Sequence, residues 1–148
     1  MKWLFRTDHA WPGFVLRWAL GAAMFPHGMQ KLFGGFGGGG FFATMASFTG
    51  EGMPSLIAFL IIIGESFGSV GLIIGFLSRF AAFGITIIML GAVALVHGHN
   101  GFFMNWHGTQ AGEGFEYHIL AIGIGVAVMI LGSGKWSVDG IIQKKLES

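Results

Sequence analysis

Four long apolar stretches alternate with short polar or glycine-rich links, over about residues 11–33, 53–77, 80–98 and 115–133. Each reaches or approaches the roughly 20 residues that a helix rising about 1.5 Å per residue needs to cross ~30 Å of hydrocarbon. The pattern predicts an all-α integral membrane protein, a single domain over residues 1–148 built as an antiparallel four-helix bundle. Arg17, His27 and Lys31 interrupt the first stretch, and no short apolar run with a small-residue cleavage site precedes them. That stretch therefore reads as a retained helix and not as a removable signal peptide.

The links carry their own signals. Residues 34–40 are mostly glycine, a tract expected to be too flexible for regular structure. It follows no strand and no Lys-Ser/Thr pair closes it, so it is not a phosphate loop. Phe41, Met45 and Phe48 then share one helical face, which predicts a short interfacial helix. After the fourth stretch, Ser137 and Asp139 followed by Lys144 and Lys145 predict a short amphipathic helix with its charges matched to the helix dipole. Gly64, Gly68, Gly71 and Gly75, and separately Gly84, Gly91 and Gly98, lie on stripes expected to be seams of close helix approach.

Composition supports the membrane reading. Of 148 residues 53% are apolar and 10% are charged, against about 25% charged in soluble domains. A soluble enzyme, a nucleic-acid binder and a disordered linker are excluded together. With no cysteine in the chain, disulfides, thiol redox chemistry, iron–sulfur clusters, zinc fingers and covalently attached haem are excluded as well. Seven of the eight basic residues, all but Lys31, fall on one side, flanking the stretches or, for Arg17, in the first turns of one, which predicts cytoplasmic N- and C-termini. Trp11 and Trp136 suit the inner headgroup belt and Trp106 the outer one.

A charged side chain within an apolar span costs about 2.5–3.5 kcal/mol, so each needs a partner or a purpose. Glu65, deep in the second stretch, is the candidate for proton exchange. Arg17 lies near the cytoplasmic end of the first, where it can snorkel or form a structural ion pair, with Glu65 in reach. Pro26 disturbs the first helix near its outer end, where His27, Gln30 and Lys31 cluster, with Glu51 or Glu116 as further partners for Lys31. His97, Glu116 and His118 lie at similar depth, and of His97 and His99 the former is the better inward candidate. Convergence of His27, His97, Glu116 and His118 would suit a transition metal, two opposed imidazoles a b-type haem, and hydrogen-bond donors beside a proton carrier a quinone. Of these the quinone is preferred.

Phe25-Pro26-His27-Gly28-Met29-Gln30-Lys31-Leu32-Phe33-Gly34, Gly64-Glu65, Gly75-Phe76-Leu77-Ser78-Arg79, Asn100-Gly101-Phe102-Phe103, Phe115-Glu116-Tyr117 and Gly132-Ser133-Gly134-Lys135-Trp136-Ser137-Val138-Asp139 occur in this order. In this combination the chain resembles the DoxX family. The resemblance implies a bacterial four-helix inner-membrane protein, similar to a subunit associated with thiosulfate:quinone oxidoreductase and terminal quinol oxidase. The expected function is that of a small redox-linked membrane subunit with an outer-half polar cavity for a quinone or similar amphipathic molecule. A non-catalytic scaffold or assembly partner is the alternative, and a transporter or proton path ranks lowest. Expected partners are membrane lipid and an oxidoreductase subunit or further copies of the chain, with no nucleic acid.

Overall fold

A computed structural model describes residues 2–8 and 10–147, and helices are the sole regular structure among them. Seven α-helices follow in order: α1 (Lys2–Phe5), α2 (Trp11–Phe33), α3 (Gly40–Gly50), α4 (Ser55–Ile74), α5 (Ser78–Ala92), α6 (Glu116–Leu131) and α7 (Val138–Glu147). A π turn over Val93–His97 and a 3-10 turn over Gly98–Asn100 prolong α5. The basic flank residue Lys2 has its side chain outside the described atoms.

Local chemistry explains the ends of the elements. Pro12 sits in the first turn of α2, where its missing amide is harmless. Pro26 leaves the carbonyl of Ala22 without its helical donor, yet α2 continues to Phe33 and stops at Gly34, which takes the left-handed conformation with φ of 75°. The glycine tract is more ordered than its composition predicts. It forms a 3-10 turn over Gly35–Gly37 and delivers the chain to α3 at Gly40.

The four longer helices close a ring of contacts, α2 on α4, α4 on α5, α5 on α6 and α6 on α2. Leu20, Met24, Leu72, Ile85, Met89 and Val128 fill its centre. α3 lies against α2 and α4, while α7 folds back to α1. The closest approaches correct the expected seams. A side chain on Gly28 of α2 would sit 2.6 Å from the Ser66 Cα, and one on Gly21 would sit 3.0 Å from Leu72 and Ile73. On α4, Gly64 faces Ile88 and Gly68 faces Ile85, but Gly84 and Gly91 of α5 have open space around them. A regular seven-residue spacing shows that residues share a face and does not say whether that face is covered.

The ring is dressed with apolar side chains on its outside as well as its inside. Leu56, Phe59, Leu60, Phe67, Val70 and Ile74 are exposed along α4, and Phe80, Phe83, Ile87 and Leu90 along α5. Ser55–Ile74 and Ser78–Asn100 are long and apolar enough to cross a membrane, each with mean hydropathy 2.2, and are only 39% and 28% buried. So much exposed hydrocarbon is the mark of a surface solvated by lipid and not by water. Glu116–Leu131 is apolar but shorter, and α2, with 23 residues, carries Arg17 and Lys31 within it.

Two glycine substitutions test this arrangement. Gly28→Ala should destabilise the protein by about 1–3 kcal/mol through overpacking. Gly84→Ala should be neutral or stabilising by up to about 1 kcal/mol, because alanine favours an uncrowded helix. Thermal unfolding of the detergent-solubilised variants measures both.

Candidate functional site

The contact of α2 and α4 at Gly28 brings the C-terminal turns of one helix against the middle of the other. Ser66 reinforces it, its hydroxyl lying 2.9 Å from the Gly28 carbonyl and 2.7 Å from that of Ile62, two acceptors that share its one proton. One turn beyond Gly28, the Lys31 Nζ meets the Glu65 Oε2 at 2.6 Å. The Glu65 side chain is 5% exposed and that of Lys31 21%, so the carboxylate is sealed while the ammonium keeps a path outward. This pair replaces the partners expected from sequence. Arg17 lies fourteen positions before Lys31 on α2, about 21 Å along the axis, and does not approach Glu65. Glu51 accepts from the Ser47 hydroxyl, and Glu116 accepts from the Met104 amide at 3.3 Å.

Around the pair, the predicted residues separate. His27 is on the exposed face of α2, its ring 6.4 Å from that of Tyr117. Gln30 is partly engaged, its amide donating to the Phe36 carbonyl at 3.0 Å and holding the glycine turn. His118 is 7% exposed. Its ring lies 5.7 Å from Tyr117 and 4.2 Å from His97, and its Nδ1 has no hydrogen-bond partner among the described residues. His97 faces the Glu113 carbonyl through Nδ1 at 2.8 Å, and His99 turns back toward Leu95. His27, Tyr117, His118 and His97 thus form a file of four rings from α2 across α6 to the π turn after α5. Sequence reasoning gives Tyr117, the chain's sole tyrosine, a place in the Phe115-Glu116-Tyr117 motif but no part in the site.

This geometry weighs on the metal and haem readings. Among the described residues no group of three or more His, Asp or Glu side chains is placed to hold a metal ion. The His97 and His118 rings lie too close together for a porphyrin plane to fit between them.

A second polar centre occupies the opposite end. Arg17 is fully buried, so it does not snorkel, and among the described residues it has no ion-pair partner within contact distance. Its Nε donates to Ser133, one terminal nitrogen to Leu72 and Ile73, and the other to Lys135 and Trp136, all carbonyl oxygens at 2.6–3.0 Å. These five bonds use the full donor set of a guanidinium. Asp139, also fully buried, complements it by accepting from the amides of Leu77 at 2.7 Å and Ser78 at 3.0 Å. Ser133 donates to the same carboxylate, and its hydroxyl also lies 2.9 Å from that of Ser78. The turn between α4 and α5 is therefore held by side chains from α2 and α7. Arg79 plays a related part for α6, donating to the carbonyls of Met129 and Ile130.

Helices with apolar outer faces, charged residues buried among them and two polar centres at opposite ends define a small helical membrane protein. The DoxX family model matches residues 13–98, more than half of the chain, and the protein belongs to the DoxX family. The matched region contains Arg17, His27, Lys31, Glu65 and Arg79, whereas Tyr117, His118 and Asp139 lie beyond it. No curated protein and no solved structure matches the chain.

Asp139→Ala should leave two amides at the start of α5 without acceptors, costing about 3 kcal/mol from lost bonds to a charged group. Faster proteolytic removal of α7, together with a lowered melting temperature, is the expected result.

Proposed function

We propose that this protein is a four-helix subunit of the bacterial inner membrane that offers a quinone-type headgroup a site on its lipid-facing side and works beside an oxidoreductase partner. In this reading α2, α4, α5 and α6 all span, and both termini are cytoplasmic. The bias of the basic residues supports the orientation, and family membership supports the association with oxidoreductase chemistry. The observation that carries the site is the Lys31–Glu65 pair, sealed at the carboxylate and open at the ammonium, with the imidazole of His27 exposed nearby.

These residues suit a quinone head. His27 and Lys31 supply donors for a carbonyl oxygen, and the ring of Tyr117 offers an aromatic surface beside them. A bound quinone would supply two-electron, two-proton redox chemistry. Lys31 orients the oxygen, and Glu65 is the group that takes up or returns a proton through Lys31. His97, His118 and Glu116 belong to the outer boundary of the site, where Glu116 holds the loop at Met104. A scaffold role is the second reading. It is favoured by the degree to which Arg17, Asp139 and Glu65 are satisfied inside the chain.

Purified protein should retain lipid quinone on organic extraction and bind a short-chain quinone analogue in detergent. His27→Ala should weaken that binding about fivefold, the equivalent of roughly one net hydrogen bond, with no change in melting temperature. Glu65→Gln should abolish quinone-dependent turnover in the partner complex while the bundle stays folded. Equal analogue binding by the native protein and the His27 variant would refute the site. Absence of both retained quinone and analogue binding would favour the scaffold, and a haem absorption band would replace quinone with haem.

A further inference from the structure

The end of the molecule that carries α1 and α7 has an open cleft of about 450 Å³, lined by Trp3, Arg6, Thr7, Asp8, Arg79, Ile130 and Leu131. A second cleft of about 190 Å³ adjoins it, sharing Trp3 and Arg6 and closed by Gln143, Leu146 and Glu147. From these clefts the geometry points to a binding site for a singly charged anionic phospholipid, its phosphodiester held by Arg6 and Arg79 and its acyl chains lying against Ile130, Leu131 and Phe80.

Charge is the first support. Two guanidinium groups line the larger cleft and one carboxylate, Asp8, opposes them. The Asp8 carboxylate already accepts from the Ala10 amide. The larger cleft's balance of one positive charge, lowered further by Glu147 in the adjoining cleft, fits a phosphodiester with a single negative charge better than a polyanion. Arg6 brings a solvent-exposed side chain to the cleft, and Arg79 bonds the Arg6 carbonyl at 3.1 Å, which holds the two residues together. Unmet hydrogen-bonding capacity is the second. Arg79 is 7% exposed and its buried Nε has no hydrogen-bond partner among the described residues, so a guanidinium bordering the cleft is not fully satisfied by the protein itself. The Trp3 ring lies over this guanidinium at 4.9 Å and is itself 63% exposed, as suits an aromatic group at headgroup level.

The apolar side of the cleft argues for a lipid over a free anion. Ile130 is 70% exposed and Phe80, next to Arg79, is 66% exposed. Both adjoin the ends of helices whose outer faces are hydrocarbon. Basic pockets between membrane helices are recognised seats for anionic headgroups. This inference rests on the helices spanning a bilayer and is independent of the quinone reading.

Detergent-solubilised protein titrated with phosphatidylglycerol, phosphatidylethanolamine or inorganic phosphate, and followed by native mass spectrometry, tests it. One phosphatidylglycerol should bind in preference to phosphatidylethanolamine, and millimolar phosphate should not displace it. Arg6→Gln should weaken binding about fivefold, while Lys135→Gln, which removes a charge stacked on Trp11 elsewhere, should not. Equal retention of the two lipids, an unchanged Arg6 variant, or displacement by phosphate alone would overturn the proposal. Recovery of the native protein in the soluble fraction without detergent would instead refute the spanning helices on which it rests.

Discussion

The Arg17 guanidinium, buried with five carbonyl acceptors, is the interaction on which the arrangement of the other elements depends. A helix ends with carbonyls that have no intrahelical donor, and in a lipid environment water is not there to supply one. Arg17 reaches from α2 to the last turn of α4 and to the link between α6 and α7. It thereby fixes three parts of the chain to one point. Asp139 answers the complementary need at the start of α5, where free amides require an acceptor. A charge that would be costly alone becomes structural because every donor or acceptor it has is used.

The opposite polar centre is built differently. Lys31 and Glu65 satisfy each other, but unequally, since the carboxylate is enclosed between helices and the ammonium remains partly open. That asymmetry separates the two ends of the molecule. At the Arg17 end the buried polar atoms are spent on holding backbone. At the Lys31 end a polar atom remains available, with an exposed imidazole on the same helix and a file of rings leading from it to His97. Gly28 makes this possible, because its lack of a side chain lets α4 come close enough for Lys31 to reach Glu65.

Much of this was legible in residue order. The apolar stretches give the long helices to within a few residues, and the C-terminal amphipathic segment is a helix. Other expectations fail for a common reason. Gly84 and Gly91 repeat as regularly as any seam but have open space beside them, while Gly21 and Gly28, less conspicuous, lie at a close contact. Asp139 stands in the first turn of its own helix, as its charge suggests, but its carboxylate also caps another, which the sequence does not announce. In each case the residue's partner is distant in sequence, and periodicity along one helix carries no information about rotation relative to a neighbour.

The sequence by itself determined the solvent of the molecule, the length and number of its long helices, its family, and the small set of side chains with any chemistry to offer. These follow from local properties, namely how apolar a segment is, how far it extends and where a proline or glycine interrupts it. Only the tertiary structure decided that Lys31 pairs with Glu65, that Arg17 closes the ends of other helices, and that Tyr117 links His27 to His118. Those outcomes depend on helix rotation and axial register, which are set by the sum of side-chain contacts between segments far apart in the chain.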